Sequence, residues 1–137
     1  PTPPPPPPPQ FDRRRQRQMC IRDRIDDALD YSADSEELGK NAGDDLAEGK
    51  PTLPLIRAME TGSESQRQLI REAIEQGSIE RLDDIREIIN DTGALQYTLD
   101  QAHAEAAAAR QALAGLDDSE YRQALLFLAD YAVERRF

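Results

Sequence analysis

From Ile25 to the C-terminus, apolar residues recur every three to four positions in segments punctuated by Gly, Pro and Ser. This is the period of amphipathic helices. "IDDALDY" sets Ile25, Ala28, Leu29 and, a turn further on, Ala33 along one face, with Asp26, Asp27 and Asp30 on the other. "SADSEELGKNAGDDLAEGKP" (32–51) is rich in Gly, Asp and Ser and fits neither a helical nor a strand period, so it reads as a long loop. Thr52 and Pro54 then open "TLPLIRAME", with proline in the first turn, where its missing N–H costs least. Gly62 and Ser63 interrupt. "ESQRQLIREAIEQG" carries Leu69, Ile70, Ala73 and Ile74 on one stripe and stops at Gly77. "SIERLDDIREIINDTG" repeats the device with Ile79, Leu82, Ile85, Ile88 and Ile89, ending near Gly93. A long alanine-rich helix, "ALQYTLDQAHAEAAAARQALAG", is stopped by Gly115, and Asp117 or Asp118 can cap a last helix, "SEYRQALLFLADYAVERRF". No alternating strand pattern and no internal repeat is visible. The predicted fold class is all-α.

Composition narrows the partners. The chain has 137 residues, enough for one modest domain, and a formal net charge of −10. Six arginines against two aspartates give residues 1–24 a charge of +4, leaving −14 on residues 25–137. So acidic a body repels phosphate backbones, which argues against nucleic acid. Handling a phosphorylated ligand would require divalent cations as bridges. The single cysteine, Cys20, allows no internal disulfide and points to a reducing compartment. There is no apolar run of membrane-spanning length and no apolar core of a secretory leader. The expected location is cytoplasmic.

The N-terminal residues read differently. "PTPPPPPPPQ" (1–10) is polyproline II, either a low-complexity tail or a ligand for an aromatic groove. Residues Arg14–Arg24, "RRQRQMCIRDR", resemble the in-frame translation of a transposase sequencing adapter. Residues 1–24 are therefore expected to be a disordered, foreign extension, and residues 25–137 the natural body.

Candidate chemistry begins at Asp26, Asp27 and Asp30. Asp26 and Asp30, at i and i+4, project about one helical turn apart. Carboxylates that close repel unless a cation lies between them, and hard oxygens suit Mg²⁺. A solvated acidic face is the structural alternative. The following loop holds Lys40, Asp44, Asp45 and Lys50 among Gly39, Gly43 and Gly49. Glycines let backbone approach a ligand, and lysines offer point charges to a diphosphate. A flexible surface loop is the alternative here. An EF-hand fails because the sixth position, counted from Asp26 or Asp30, is Tyr31 or Ser35 instead of glycine. No P-loop spacing is present, and the only histidine, His103, sits among alanines without a nucleophile to serve.

The succession D-D-x-x-D, then G-K-x-x-G-D-D-x-x-E-G-K-x-T-L-P, closely resembles the second aspartate-rich motif and following loop of trans-polyprenyl diphosphate synthases, most of all bacterial long-chain enzymes of the octaprenyl type. The resemblance covers residues 25–137. It implies the C-terminal portion of an isoprenoid-synthase bundle of antiparallel helices around a deep apolar cavity. It also implies a reaction in which Mg²⁺ ions hold the diphosphate of an allylic substrate as it leaves and isopentenyl diphosphate attacks the resulting cation, building a long all-trans polyprenyl chain of the kind found in quinones. By that resemblance Asp26 is a direct Mg²⁺ ligand, and Asp27 and Asp30 hold metal-bound waters. Lys40 contacts the allylic diphosphate, Asp44 lies near the metal waters and Lys50 is a second diphosphate contact. The implied assembly is a homodimer.

The departures define what is missing. The Phe-Gln-Leu that usually precedes Ile-Asp-Asp in the family is replaced by Arg22, Asp23 and Arg24. A first aspartate-rich motif, the isopentenyl diphosphate site and the cavity floor are all absent. The chain is thus expected to be inactive alone and to expose apolar surface such as Leu125–Leu128, which was built to meet absent partners. The alternative function is a non-catalytic helical module, a partner subunit related to these synthases, although such subunits typically lose the aspartates retained here.

Overall fold

The computed structural model describes residues 10–32 and 43–134, with side chains from Ile21 onward. Among the described residues seven α-helices follow one another: α1 (Gln10–Tyr31), α2 (Asp44–Ala47), α3 (Leu53–Thr61), α4 (Glu64–Gln76), α5 (Leu82–Asp91), α6 (Ala94–Leu113) and α7 (Glu120–Glu134). A 3₁₀ turn, Ile79–Arg81, leads into α5. There is no strand among the described residues, in keeping with the all-α expectation.

The helix α6 is the axis of the fold, with α1, α3, α5 and α7 all packed on it. Its buried face is Ala94, Thr98, Ala102, Ala106, Ala109 and Leu113, almost all small. Small side chains at fourth-residue spacing let a neighbouring helix lie close, and α1 takes that place with Ile21, Ile25 and Ala28 buried. Thr98 satisfies its buried hydroxyl within the helix, donating to the Ala94 carbonyl at 2.9 Å. A larger core gathers Tyr31, Leu46, Leu55, Ile70, Ile85 and Ile89, drawing on α1 to α5. Fully burying each of these leucine and isoleucine side chains contributes roughly 1.5–3 kcal/mol.

Local signals placed most helix ends. The α4 start is a complete capping box: Gln66 N donates to Ser63 Oγ at 3.3 Å, and Ser63 N to Gln66 Oε1 at 2.8 Å. Gly77 ends α4 with φ +57°, and a β-carbon there would lie 2.7 Å from the Ala47 carbonyl oxygen. Gly49 mirrors it across the contact: at φ +67°, its β-carbon would lie 2.8 Å from the Ile74 carbonyl oxygen. Only glycine serves at either place, so the turn after α2 rests backbone to backbone on the end of α4.

Four expectations need correction. The 32–51 segment is not loop throughout: Asp44–Ala47 forms a one-turn helix, too short to show a period. Helix α1 does not start at Ile25; it extends back to Gln10, because Gln, Arg and Met are good helix formers and no Gly or Pro interrupts them. Ile79 is exposed, since the 3₁₀ turn carries it off the α5 stripe. The cap of α7 is Ser119, whose Oγ accepts from Arg122 N at 3.2 Å, while Asp118 pairs with the side chains of Gln123 and Arg122. Of the apolar run on α7, Phe127 and Leu128 are exposed and Leu125 and Leu126 half-buried, and Phe127 stacks on Tyr131 at 6.0 Å.

Candidate functional site

The acidic end of α1 faces α2 and the turn that follows it. Asp30 turns toward α2 and closes that helix's open end: Gly43 N donates to its Oδ1 at 3.2 Å and Asp45 N to its Oδ2 at 3.3 Å. A one-turn helix has no interior hydrogen bonds to spare, so this cap from another helix fixes its position. Asp27, one turn earlier, lies 3.4 Å from Lys50 Nζ. The same ammonium lies 3.0 Å from Asp45 Oδ1, bridging α1 and α2. Asp26 sits partly buried at the adjacent position of α1, and Asp44 opens α2 beside Asp45. Lys40 lies outside the described residues. His103 is exposed on α6.

Electrostatics follow from this crowding. Burial pushes the Asp27 carboxyl above its ordinary value and Asp45 adds repulsion, while Lys50 pulls the other way. Burial likewise raises Asp30, with repulsion from Asp45, against the two backbone N–H donors that favour its charged form. The hydrogen bond to Asp45, with the attraction of Asp27 and Asp45, raises the Lys50 ammonium above the usual lysine value against a desolvation cost.

A proton held more tightly in the folded chain than in the unfolded one stabilises the fold below the unfolded pKa, and that stabilisation is lost as pH rises through the folded one. Asp27 should therefore add stability as pH falls from neutrality toward 3.8, its unfolded value. Urea midpoints at stepped pH are expected to lose that increment in Asp27→Asn.

In chemical type, the oxygens of Asp26, Asp27, Asp30, Asp44 and Asp45 suit a hard divalent cation. In number they form a partial site, since no three possible ligands converge among the described residues. One of them, Asp30, is committed to holding α2. The ammonium of Lys50 already occupies a place where positive charge is favoured, between two carboxylates. The sequence reading gave Asp45 no role and missed the capping by Asp30. The local signal was Gly43-Asp44-Asp45 itself, a turn residue followed by acids suited to a first helical turn.

The polyprenyl synthetase family model matches residues 23–92. Octaprenyl diphosphate synthase of Haemophilus influenzae is 51% identical over 114 residues, 82% of this chain and 35% of that relative. The octaprenyl diphosphate synthase of Escherichia coli is 53% identical over 112 residues, 81% of this chain and 35% of the relative. Among solved structures, a polyprenyl synthase from Caulobacter crescentus, complexed with calcium and isoprenyl diphosphate, superposes with a TM-score of 0.77 at 41% identity. It covers 88% of this chain and 38% of that one. The chain thus spans about a third of the length of the curated relatives it matches.

Proposed function

The chain belongs to the polyprenyl synthetase family, and from that membership we propose that it is the diphosphate-facing C-terminal portion of a long-chain all-trans polyprenyl diphosphate synthase. The observation that carries the reading is the meeting of α1 and α2, where Asp27, Asp45 and Lys50 interact and Asp30 holds the two elements together. In the whole enzyme Asp26, Asp27 and Asp30, with Asp44 nearby, would serve Mg²⁺, which when bound neutralises a departing diphosphate. Lys40 and Lys50 would meet the diphosphate of the allylic substrate directly. The acidic body keeps anionic ligands away except where cations gather, which confines diphosphate binding to this end of the fold. Isopentenyl diphosphate would be the second substrate. On this reading the full-length enzyme is a cytoplasmic homodimer. No described helix is long and apolar enough to cross a membrane.

The same reading takes residues up to about 24 as foreign to the gene. The family match beginning at residue 23 supports it. Helicity from Gln10 is compatible with it, because an in-frame run of arginine and glutamine propagates a helix whatever its origin.

Purified alone, the chain should incorporate no labelled isopentenyl diphosphate into polyprenyl product. A chimera in which residues 25–137 replace the corresponding third of the E. coli octaprenyl synthase should do so. Turnover by the chain alone would refute its incompleteness. A folded but inactive chimera would refute its catalytic descent and favour the partner-subunit alternative.

A further inference from the structure

Two hydroxyls lie sealed beside the Lys50 turn without a settled partner. Tyr31, the last residue of α1, and Thr52, which leads into α3, are each only 2% exposed. Among the described residues, neither the phenol oxygen nor Thr52 Oγ1 meets a partner in hydrogen-bond geometry. They do face each other, Thr52 being the side chain with which the Tyr31 phenol interacts. A buried hydroxyl left unpaired costs stability, and native interiors almost always pair it. We infer that Tyr31 and Thr52 hydrogen-bond to each other as a buried latch between α1 and the start of α3, and that this latch positions Lys50. The inference rests on the reading of Lys50 as a contact for a substrate diphosphate, and it names two positioning residues for that contact.

Thr52 differs from an ordinary cap. It occupies the N-cap position of α3 with extended backbone, yet its side chain caps nothing. A cap oxygen normally accepts from the second or third residue of the helix, and the second residue here is Pro54, which has no N–H. Thr98, also buried, shows the contrast, because it donates to a carbonyl of its own helix at 2.9 Å. Helix α1 meets the segment 50–53 along one face. Asp27 lies 3.4 Å from Lys50 Nζ and faces the Leu53 N–H, and Tyr31, one turn on, meets Thr52. The two contacts differ in strength. The Lys50 side chain is 52% exposed, so its ion pairs are screened by water and hold little. The Tyr31–Thr52 contact is dry, with Tyr31 in the cluster of Leu46, Leu55, Ala58 and Ile70, where a low dielectric strengthens a hydroxyl pair. From Thr52 the constraint passes to Lys50 in one step, because Thr52 N donates to the Lys50 carbonyl at 3.0 Å. A fixed Thr52 thus fixes the backbone from which the Lys50 ammonium extends.

Replacing one partner leaves the other buried and unpaired, whereas replacing both removes the need for a bond. In the full chain, Tyr31→Phe and Thr52→Val are each expected to lower the urea midpoint by roughly 0.3–1 M, and the double variant to recover to within about 0.2 M of the natural chain. Amide exchange at Thr52 and Ile56, whose N–H groups bond to the Lys50 and Thr52 carbonyls, should accelerate about 5- to 30-fold in either single variant. Thr52→Ser keeps the hydroxyl and should hold exchange near the natural rate. Losses that add in the double variant, or a gain of stability in either single one, would overturn the latch. Tyr31→Phe deletes one oxygen and carries the exchange test if Thr52→Val does not fold; unchanged exchange there would also overturn it. In the chimera described above, Thr52→Val should raise KM for the allylic diphosphate about 3- to 10-fold while kcat changes by less than about twofold, and Thr52→Ser should restore it. An unchanged KM would overturn the positioning of Lys50. An inactive parent chimera would count against the functional reading instead, and the double-variant comparison on the chain alone still decides the latch.

Discussion

Truncating Leu55 to alanine is expected to destabilise the chain by about 2–5 kcal/mol, lowering the urea midpoint by roughly 1–3 M. Leu55 is fully buried on α3, in the cluster that also holds Tyr31, Ile70, Ile85 and Ile89. Its helix packs on α1, α4, α5 and α6, so a void there loosens contacts in several directions at once. Relaxation cannot readily fill such a void, because the neighbours are anchored from opposite sides. The size of the loss matters because domains of this size hold only 5–15 kcal/mol in total, by the general order of magnitude. The site should suffer with the core. Lys50 precedes α3 by only three residues, and Thr52, the N-cap of that helix, is the residue whose N–H holds the Lys50 carbonyl. Chemical unfolding followed by circular dichroism measures the effect, and a change under 1 kcal/mol would show that α3 is not a structural centre.

Replacing Asp30 by alanine is the second large change, with a different signature. It orphans the partly buried N–H groups of Gly43 and Asp45, at a cost on the order of 1–3 kcal/mol each where water cannot replace the lost acceptor. Most of that cost should be local. Amide exchange at Gly43 and Asp45 is expected to accelerate by roughly 10- to 100-fold, while α6 amides change little. Asp30→Asn keeps one acceptor oxygen of the same reach and should restore a large part of the protection. If the two variants behaved alike, Asp30 would act through its charge instead of as a cap. The comparison bears on function, because the resemblance assigns Asp30 to metal-bound water whereas the geometry occupies both of its oxygens with backbone donors.

The division between what could and could not be read from the sequence follows the range of the forces involved. Helices α3 to α6 announced themselves, because their stripes, such as Ile85, Ile88 and Ile89, are periodic and their ends carry Ser63, Gly77 and Gly93. Periodicity and caps act within one or two turns, so a local reading captures them. The one-turn helix α2 could not be seen that way. Its stabilisation comes from Asp30, about fifteen residues earlier, together with Leu46 packed into the core. At α7 the reading chose the more acidic Asp117 or Asp118 over Ser119, because composition names the capping residue types but not the register. The site showed the same limit. Asp26, Asp27, Asp30, Asp44 and Lys50 were picked out by type and spacing, but the bridge from Lys50 to Asp45 and Asp27 depends on how α2 docks against α1. The start of α1 was misjudged for another reason. The change in charge pattern near Ile25 is not a change of conformation, and Ile21 is buried against Ala106, Ala109 and Ala129.

The paired glycines at 49 and 77 bind the fate of the charged turn to a hairpin that carries no charge relevant to it. With the carbonyls of Ile74 and Ala47 pressed against those backbones, neither segment can fray without opening room for the other. The α4–α5 corner and the Lys50 turn are thus expected to form one cooperative opening unit in native-state exchange. Variation at residues such as Ile74 or Gln76 would then tune how long the acidic pair stays assembled. Lineages could in that way adjust the lifetime of that end of the fold through sites some twenty-five residues downstream.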